Sequence, residues 1–231
     1  MIEVSHISKK YGRREILKDI HFQAKSGECI CVAGRNGCGK TTLMKILAGI
    51  IKPDGGSVTY FGKDPLRDHK VFHRSCGYVP QESPLIEELS VKDNLRLWGV
   101  WGSARREEIL DLFHLREILR MKAGRLSGGM KRRLGIACAL AEWPPILLLD
   151  EPTTSLDIAY KESIRTWLFD YQKLGGIVVM TTHEESEILS GDRCLVMADG
   201  SLTELCGADV NMRQIRKYIH KESEKEREYG R

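Results

Sequence analysis

The sequence predicts an α/β fold, a parallel sheet flanked by helices, and three observations predict it. The run Gly34-Arg35-Asn36-Gly37-Cys38-Gly39-Lys40-Thr41 fits the pattern Gly-x4-Gly-Lys-Thr and stands between a strand-like segment, residues 28–33, and a helix-like one, residues 42–48. Ile146-Leu147-Leu148-Leu149-Asp150 is four apolar residues ending in a carboxylate. That is the form of a central parallel strand with its acid at the C-terminal edge, where open α/β sheets bind ligands. Residues 144–206 then read strand-helix-strand, with Asp199-Gly200 as a hairpin turn.

Taken in order, residues 2–7, 16–24 and 57–61 are strand-like and fit an antiparallel subdomain within residues 2–84, beside the strand that feeds the glycine loop. In that loop the glycines let backbone N–H groups wrap a phosphate, and the following helix adds the positive end of its dipole. Its strand-loop-helix context argues against a plain glycine turn and implies a nucleoside triphosphate. Residues 85 to about 143 switch to helical periodicity, through Val91, Leu95, Leu97 and Trp98, then Ile109, Leu110, Leu112 and Phe113. One domain over 1–209 is expected, with this stretch as a helical insert. Residues 210–231 form a charged tail, better read as a solvated helix or frayed end than as a regulatory contact. No internal repeat is visible.

A phosphate loop alone leaves GTPase, kinase, helicase and transport motor open. An acid at the Asp150 position can hold Mg²⁺ through water, while Thr41 supplies an oxygen directly and Lys40 neutralises the β- and γ-phosphates. Glu151 has no packing reason to follow an apolar strand, and it is placed to accept a proton from an attacking water. The alternative is a loop acid before Pro152, which the phosphate loop argues against. There is no Asn-Lys-x-Asp base-reading motif, which disfavours a GTPase. Leu126-Ser127-Gly128-Gly129-Met130 reads locally as an N-cap and tight turn opening a helix. The serine hydroxyl, two glycine N–H groups and a helix N-terminus also make a second anion site. Two phosphate sites with one nucleotide per chain make sense if two chains face each other.

On these motifs the chain resembles the ATP-binding cassette (ABC) ATPase family from about Ile2 to about Asp209. The resemblance implies a P-loop NTPase (RecA-like) core, an N-terminal antiparallel β subdomain and an inserted α-helical signature subdomain. It implies ATP and Mg²⁺ as ligands, with Asn36, Gly37, Cys38, Gly39, Lys40, Thr41 and Thr42 around the phosphates. Tyr11, in Lys10-Tyr11-Gly12, matches the aromatic residue that stacks on adenine, although a surface-turn tyrosine would look the same. Gln81 matches the Q-loop glutamine that senses Mg²⁺ and the attacking water, so the implied metal set is Thr41, Gln81 and Asp150. Ser155-Leu156-Asp157 matches the D-loop that crosses the dimer interface, and His183, after an apolar strand, matches the switch histidine. With Glu151, these give Gln81 and His183 as catalytic residues, while Ser127, Gly128 and Gly129 and Asp157 reach the nucleotide of a facing chain. Met130 departs from the signature glutamine and Arg35 from the usual proline or small residue; neither removes a ligand.

The implied partners are a second cassette chain, as a homodimer sandwiching ATP, and transmembrane permease subunits, with no nucleic acid. The implied location is cytoplasmic, peripheral on the inner face of the cell membrane. Residues 85–95 resemble the helical-domain opening of bacterial exporter cassettes, and the longer C-terminal regulatory domains of importers are not seen. Export of peptide, drug, lipid or polysaccharide is therefore the expectation. The alternative is a soluble ABC ATPase without a permease, serving cofactor assembly; translation members carry two cassettes and DNA-repair members insert zinc-binding or coiled-coil segments.

Composition agrees with such a motor. The 231 residues can bury a sizeable core, and 36 basic against 32 acidic residues give a net charge of only +4, no argument for nucleic acid. No stretch of 18 apolar residues occurs, and Met-Ile-Glu-Val does not open a signal peptide. Seven cysteines without a Cys-x-x-Cys pair suggest a reduced, cytosolic protein.

Overall fold

A computed structural model describes residues 1–82, 84–153, 156–205 and 215. The chain opens with a hairpin, β1 (Ile2–Tyr11) and β2 (Arg14–Ala24), then β3 (Cys29–Gly34), which runs through the glycine loop into α1 (Lys40–Leu47). After β4 (Gly55–Tyr60) come α2 (His69–Ser75) and β5 (Cys76–Val79). Three short helices follow, α3 (Val91–Leu97), α4 (Arg106–Leu112) and α5 (Gly128–Ala139), then β6 (Ile146–Asp150), α6 (Ile158–Lys173), β7 (Ile177–Thr182), α7 (Glu185–Ser190), β8 (Arg193–Ala198) and β9 (Ser201–Leu205).

Two sheets result. One is antiparallel in the order β2-β1-β4, and the other has the order β5-β6-β7-β3-β8-β9, parallel except for β9. The strand carrying the glycine loop is thus central, between β7 and β8. All six residues of β3 and all six of β7 are buried, as expected of strands covered on both faces. Alternation along β6 divides the interior in two. Ile146 and Leu148 join Ile30, Val32, Leu43, Met44, Val4 and Tyr60 under α1 and the antiparallel sheet. Leu147 and Leu149 join Leu95, Phe113, Ile136 and Trp167 under the helices of the opposite face. Burying side chains of this size stabilises by roughly 1.5–3 kcal/mol each before chain entropy is counted.

The segments expected at 2–7, 16–24 and 57–61 do form the antiparallel sheet, as β1, β2 and β4. Not named from the sequence is β5, which pairs in parallel with β6 at the edge of the larger sheet. A four-residue strand containing a glycine carries too little periodicity to be seen. In α3, Val91 and Leu95 are buried, but Leu97 and Trp98 are 58% and 43% exposed, since the helix ends there and both lie off its buried face. The charged tail at 210–231 lies outside the described residues except for Ile215, which is buried. Ser155 of the D-loop match also lies outside them.

Asp199-Gly200 is the two-residue turn joining Ala198 to Ser201, with both residues at positive φ (49° and 76°). The turn seats against β2. Lys18 N–H donates to the Gly200 carbonyl at 2.7 Å, and a Cβ at position 200 would meet the Ile16 carbonyl oxygen at 2.6 Å.

Candidate nucleotide site

The glycine loop folds as its sequence requires. Gly39 is in the left-handed region (φ 114°) and caps α1 without any side-chain hydrogen bond. The first-turn N–H groups of that helix have no intrahelical acceptors and so are available to an anion. A Cβ on Gly39 would come within 3.0–3.2 Å of Ile16 and Leu17, so β2 presses directly on the loop. Lys40 is buried, and its Nζ donates to the carbonyls of Gly34 at 2.8 Å and Arg35 at 3.0 Å, which holds the ammonium beneath the loop.

This loop forms one wall of a cavity of about 400 Å³ that also brings in Tyr11 and Arg14 from the hairpin, Gln81 after β5 and Glu151 after β6. Tyr11 is half exposed there, with its ring 5.7 Å from Lys9 Nζ. Cys38 lines an adjoining polar cleft with Arg35, Lys18, Asp199 and Gly200.

The acids sit where β6 ends. Asp150 is buried, and its Oδ1 accepts from the Thr181 hydroxyl. Its Oδ2 is buried with no protein donor. A carboxylate oxygen in that state is costly unless a cation or its water meets it. With the Thr41 hydroxyl and Gln81 amide at the cavity, the donors are all oxygen, the set that suits Mg²⁺. Glu151 is nearly buried with φ 52°, a conformation rare for a residue with a Cβ. Its N–H is anchored by the Thr181 carbonyl (3.1 Å) and hydroxyl (3.0 Å). Its carboxylate meets Gln81 Nε2 at 3.5 Å and lies 3.6 Å from His183 Nδ1. The structure therefore gathers Tyr11, Gln81, Glu151 and, Cys38 apart, the loop residues Asn36 to Thr42 around one cavity, with Asp150 just before Glu151 in the chain and His183 3.6 Å from its carboxylate.

It does not bring the signature residues there within one chain. Ser127 caps α5, accepting from Met130 N–H at 3.3 Å; Gly128 is exposed and Gly129 half-buried at that helix start. Asp157 caps α6 in the same way, accepting from Tyr160 N–H at 3.1 Å. None of the four lines the cavity.

A profile of the ABC transporter family matches residues 17–154. The chain belongs to this family. Among curated relatives, it is 36% identical over 220 residues to the doxorubicin resistance ATP-binding protein DrrA of Mycobacterium tuberculosis, covering 88% of this chain and 66% of that protein. It is 33% identical over 227 residues to the sulfate/thiosulfate import ATP-binding protein CysA of Neisseria meningitidis serogroup B, covering 92% of this chain and 63% of that protein. The chain thus spans a little under two thirds of the length of these relatives. Among solved structures, it superimposes with a TM-score of 0.82, at 29% identity and over 89% of this chain and 98% of the other, on a dimeric post-hydrolysis state of the ATP-binding cassette MJ0796 bound to ADP and Pi.

This ABC cassette has one site residue that sequence reasoning missed. Arg132 of α5 is buried, and its guanidinium donates to the carbonyls of Pro80, Gln81 (3.2 Å), Asp150 and Pro152 (3.0 Å). Burial brings its pKa down to about 10, against the pull of Asp150 and Glu151, so it stays charged at neutral pH. One side chain on the signature helix thereby fixes the backbone on both sides of the Gln81–Glu151 contact. The available signal was two arginines, Arg132 and Arg133, leading into the apolar run Leu134 to Ala139, since buried guanidinium groups need partners.

Proposed function

We propose that this chain is the ATP-hydrolysing subunit of a transporter, working as a pair of cassettes on a separate membrane permease. The observation that carries the reading is the Glu151 carboxylate, 3.5 Å from Gln81 and 3.6 Å from His183, at the mouth of the phosphate-loop cavity. Asn36 to Thr42 and Tyr11 bind the nucleotide, phosphates on the loop and adenine on the ring. Thr41, Gln81 and Asp150 would hold Mg²⁺, which when bound offsets charge on the β- and γ-phosphates. Glu151 accepts the proton of a water attacking the γ-phosphorus in line, and the bond to the ADP oxygen breaks. His183 keeps carboxylate and γ-phosphate in register, and Gln81 positions the water.

A dimer is supported by the anion-binding start of α5, which Ser127, Gly128 and Gly129 leave open to solvent on the chain's own surface. In that dimer Ser127, Gly128, Gly129 and Asp157 complete the partner's site. Ser127→Arg is expected to abolish hydrolysis while each chain still binds ATP on its own loop, because the side chain fills the space of the partner's γ-phosphate. Mixing it with inactive Lys40→Ala chains should restore part of the activity, since one composite site is then intact. Normal hydrolysis by Ser127→Arg in the dimer would remove the shared-site reading.

A permease is supported by an apolar cleft of about 450 Å³ beside the Q-loop, lined by Phe72, Tyr78, Pro80, Leu85, Trp98 and Cys138. Its wall includes the backbone that Arg132 ties to the active carboxylates, so a segment docked there can bias the site. Among the described residues no helix is long and apolar enough to cross a membrane. Purification from native membranes in mild detergent should recover a polytopic membrane protein with this chain; recovery without one favours the soluble ATPase. Export is our reading of direction, supported by the resemblance at residues 85–95; the curated relatives include an import protein, CysA, as well as DrrA. ATP-driven accumulation of substrate in inside-out vesicles tests it.

A further inference from the structure

We propose that His6, on the central strand β1 of the antiparallel sheet, and Asp19 and His21, on its edge strand β2, form a site for a borderline divalent transition-metal ion of the zinc class. The potential ligand atoms of these three side chains lie within 4.8 Å of one another. Two successive irregularities in the β1–β2 pairing bring them together. Val4 pairs with Phe22 and Ile7 with Ile20, so Ser5 and His6 share the space opposite His21 alone. Lys9 then pairs with Leu17, so Lys18 and Asp19 share the space opposite Ser8. Bulges of this kind re-aim the extra residue, here His6 on one strand and Asp19 on the other, and both have φ 52°.

The contacts already formed suit metal binding. His6 Nδ1 lies 2.6 Å from Asp19 Oδ1, and His21 Nδ1 lies 3.1 Å from the Asp19 carbonyl oxygen. A ring nitrogen donating to a backbone carbonyl fixes the tautomer and leaves Nε2 with its lone pair, the usual support for a ligating histidine. Stability does not account for the trio. The His6 and Asp19 side chains are 75% and 68% exposed, and a pair that exposed contributes little. Two imidazoles and one carboxylate select Zn²⁺, Ni²⁺ or Cu²⁺ over Mg²⁺ and Ca²⁺, which prefer all-oxygen sets. Three protein ligands leave a further position for water. Both histidines border a cleft that Gln23 and Lys25 also line. A bound ion would pin β1 to β2, the hairpin whose far end carries Tyr11 and Arg14 into the nucleotide cavity. The site is separate from ATP chemistry, so its test does not depend on hydrolysis.

The test is a calorimetric titration of ZnCl₂ into the full chain, prepared without an affinity tag and with its thiols reduced, followed by thermal unfolding with and without the ion. One Zn²⁺ per chain should bind, unaffected by millimolar Mg²⁺, and raise the unfolding midpoint by linkage. His21→Ala is the principal variant, because His21 has ordinary strand backbone. It should lose affinity by about tenfold or more, the scale seen even for loss of a supporting group. His6→Asn should do the same, asparagine being among the residues that best tolerate positive φ. His69→Ala/His73→Ala removes the exposed i, i+4 pair on α2 and should change nothing. The proposal is overturned if the wild type does not bind, if His21→Ala and His6→Asn bind as it does, or if binding follows His69 and His73.

Discussion

Glu151→Gln is expected to bind ATP as the wild type does and to turn it over about 10²–10⁴-fold more slowly, the usual cost of losing an acid–base group. The amide keeps the size of the side chain but cannot take the proton. The structure argues that nothing else changes. The Glu151 N–H is anchored to the Thr181 carbonyl and hydroxyl, contacts that the substitution leaves in place, so the φ 52° backbone is retained. Holding a residue with a Cβ there costs on the order of 1–3 kcal/mol, and the surrounding β6–β7 pairing supplies it. The same variant should accumulate as an ATP-bound dimer on gel filtration, because hydrolysis is the step that opens the pair. Steady-state turnover near that of the wild type would show that Glu151 is not the base.

The second large effect is on binding. Lys40→Ala removes an ammonium held under the phosphate loop, and a hydrogen bond to a charged group contributes about 1.5–3 kcal/mol. ATP affinity should fall by roughly 10- to 100-fold, read by nucleotide titration. The carbonyls of Gly34 and Arg35 lose their donor as well, since Lys40 is buried and bonded to both. A drop of a few degrees in the unfolding midpoint should therefore accompany the loss of affinity. A large fall in midpoint with unchanged affinity would mean that Lys40 is a structural cation and that the phosphates bind elsewhere.

The parts of this site that were legible in the sequence are those in which local chain geometry and chemistry coincide. A glycine loop must sit between a strand and a helix to present N–H groups, so Gly34 to Thr41 could be read with its flanking elements, and β3 and α1 lie within a residue or two of where they were expected. Asp150 and Glu151 could be read because acids rarely end a fully apolar strand. Arg132 could not be assigned, because its partners are backbone carbonyls of two separate segments and carry no side-chain signature. The exposure of Leu97 and Trp98 was equally hidden, because apolar periodicity records which face is greasy and not what covers it. The His6, Asp19 and His21 cluster depends on two bulges, and pairing register across a hairpin is not written in either strand alone.

The central position of β3 bears on how the chain is made. Val32 pairs with Thr181 on one side and Leu195 on the other, so the strand that carries the phosphate loop gains both neighbours only after β7 and β8, far downstream, have been synthesised. At the usual rate of roughly 5–20 residues per second, the ribosome needs on the order of ten seconds to deliver them. Throughout that interval a wholly apolar segment, Cys29 to Ala33, has no partner strand, and such edges aggregate. Closing so distant a pairing is also slow once the residues exist, because the entropy of the intervening loop is lost before the contacts form. Until β7 and β8 have emerged, β3 cannot take its place in the sheet, and the loop that it carries lacks a fixed base from which to hold nucleotide.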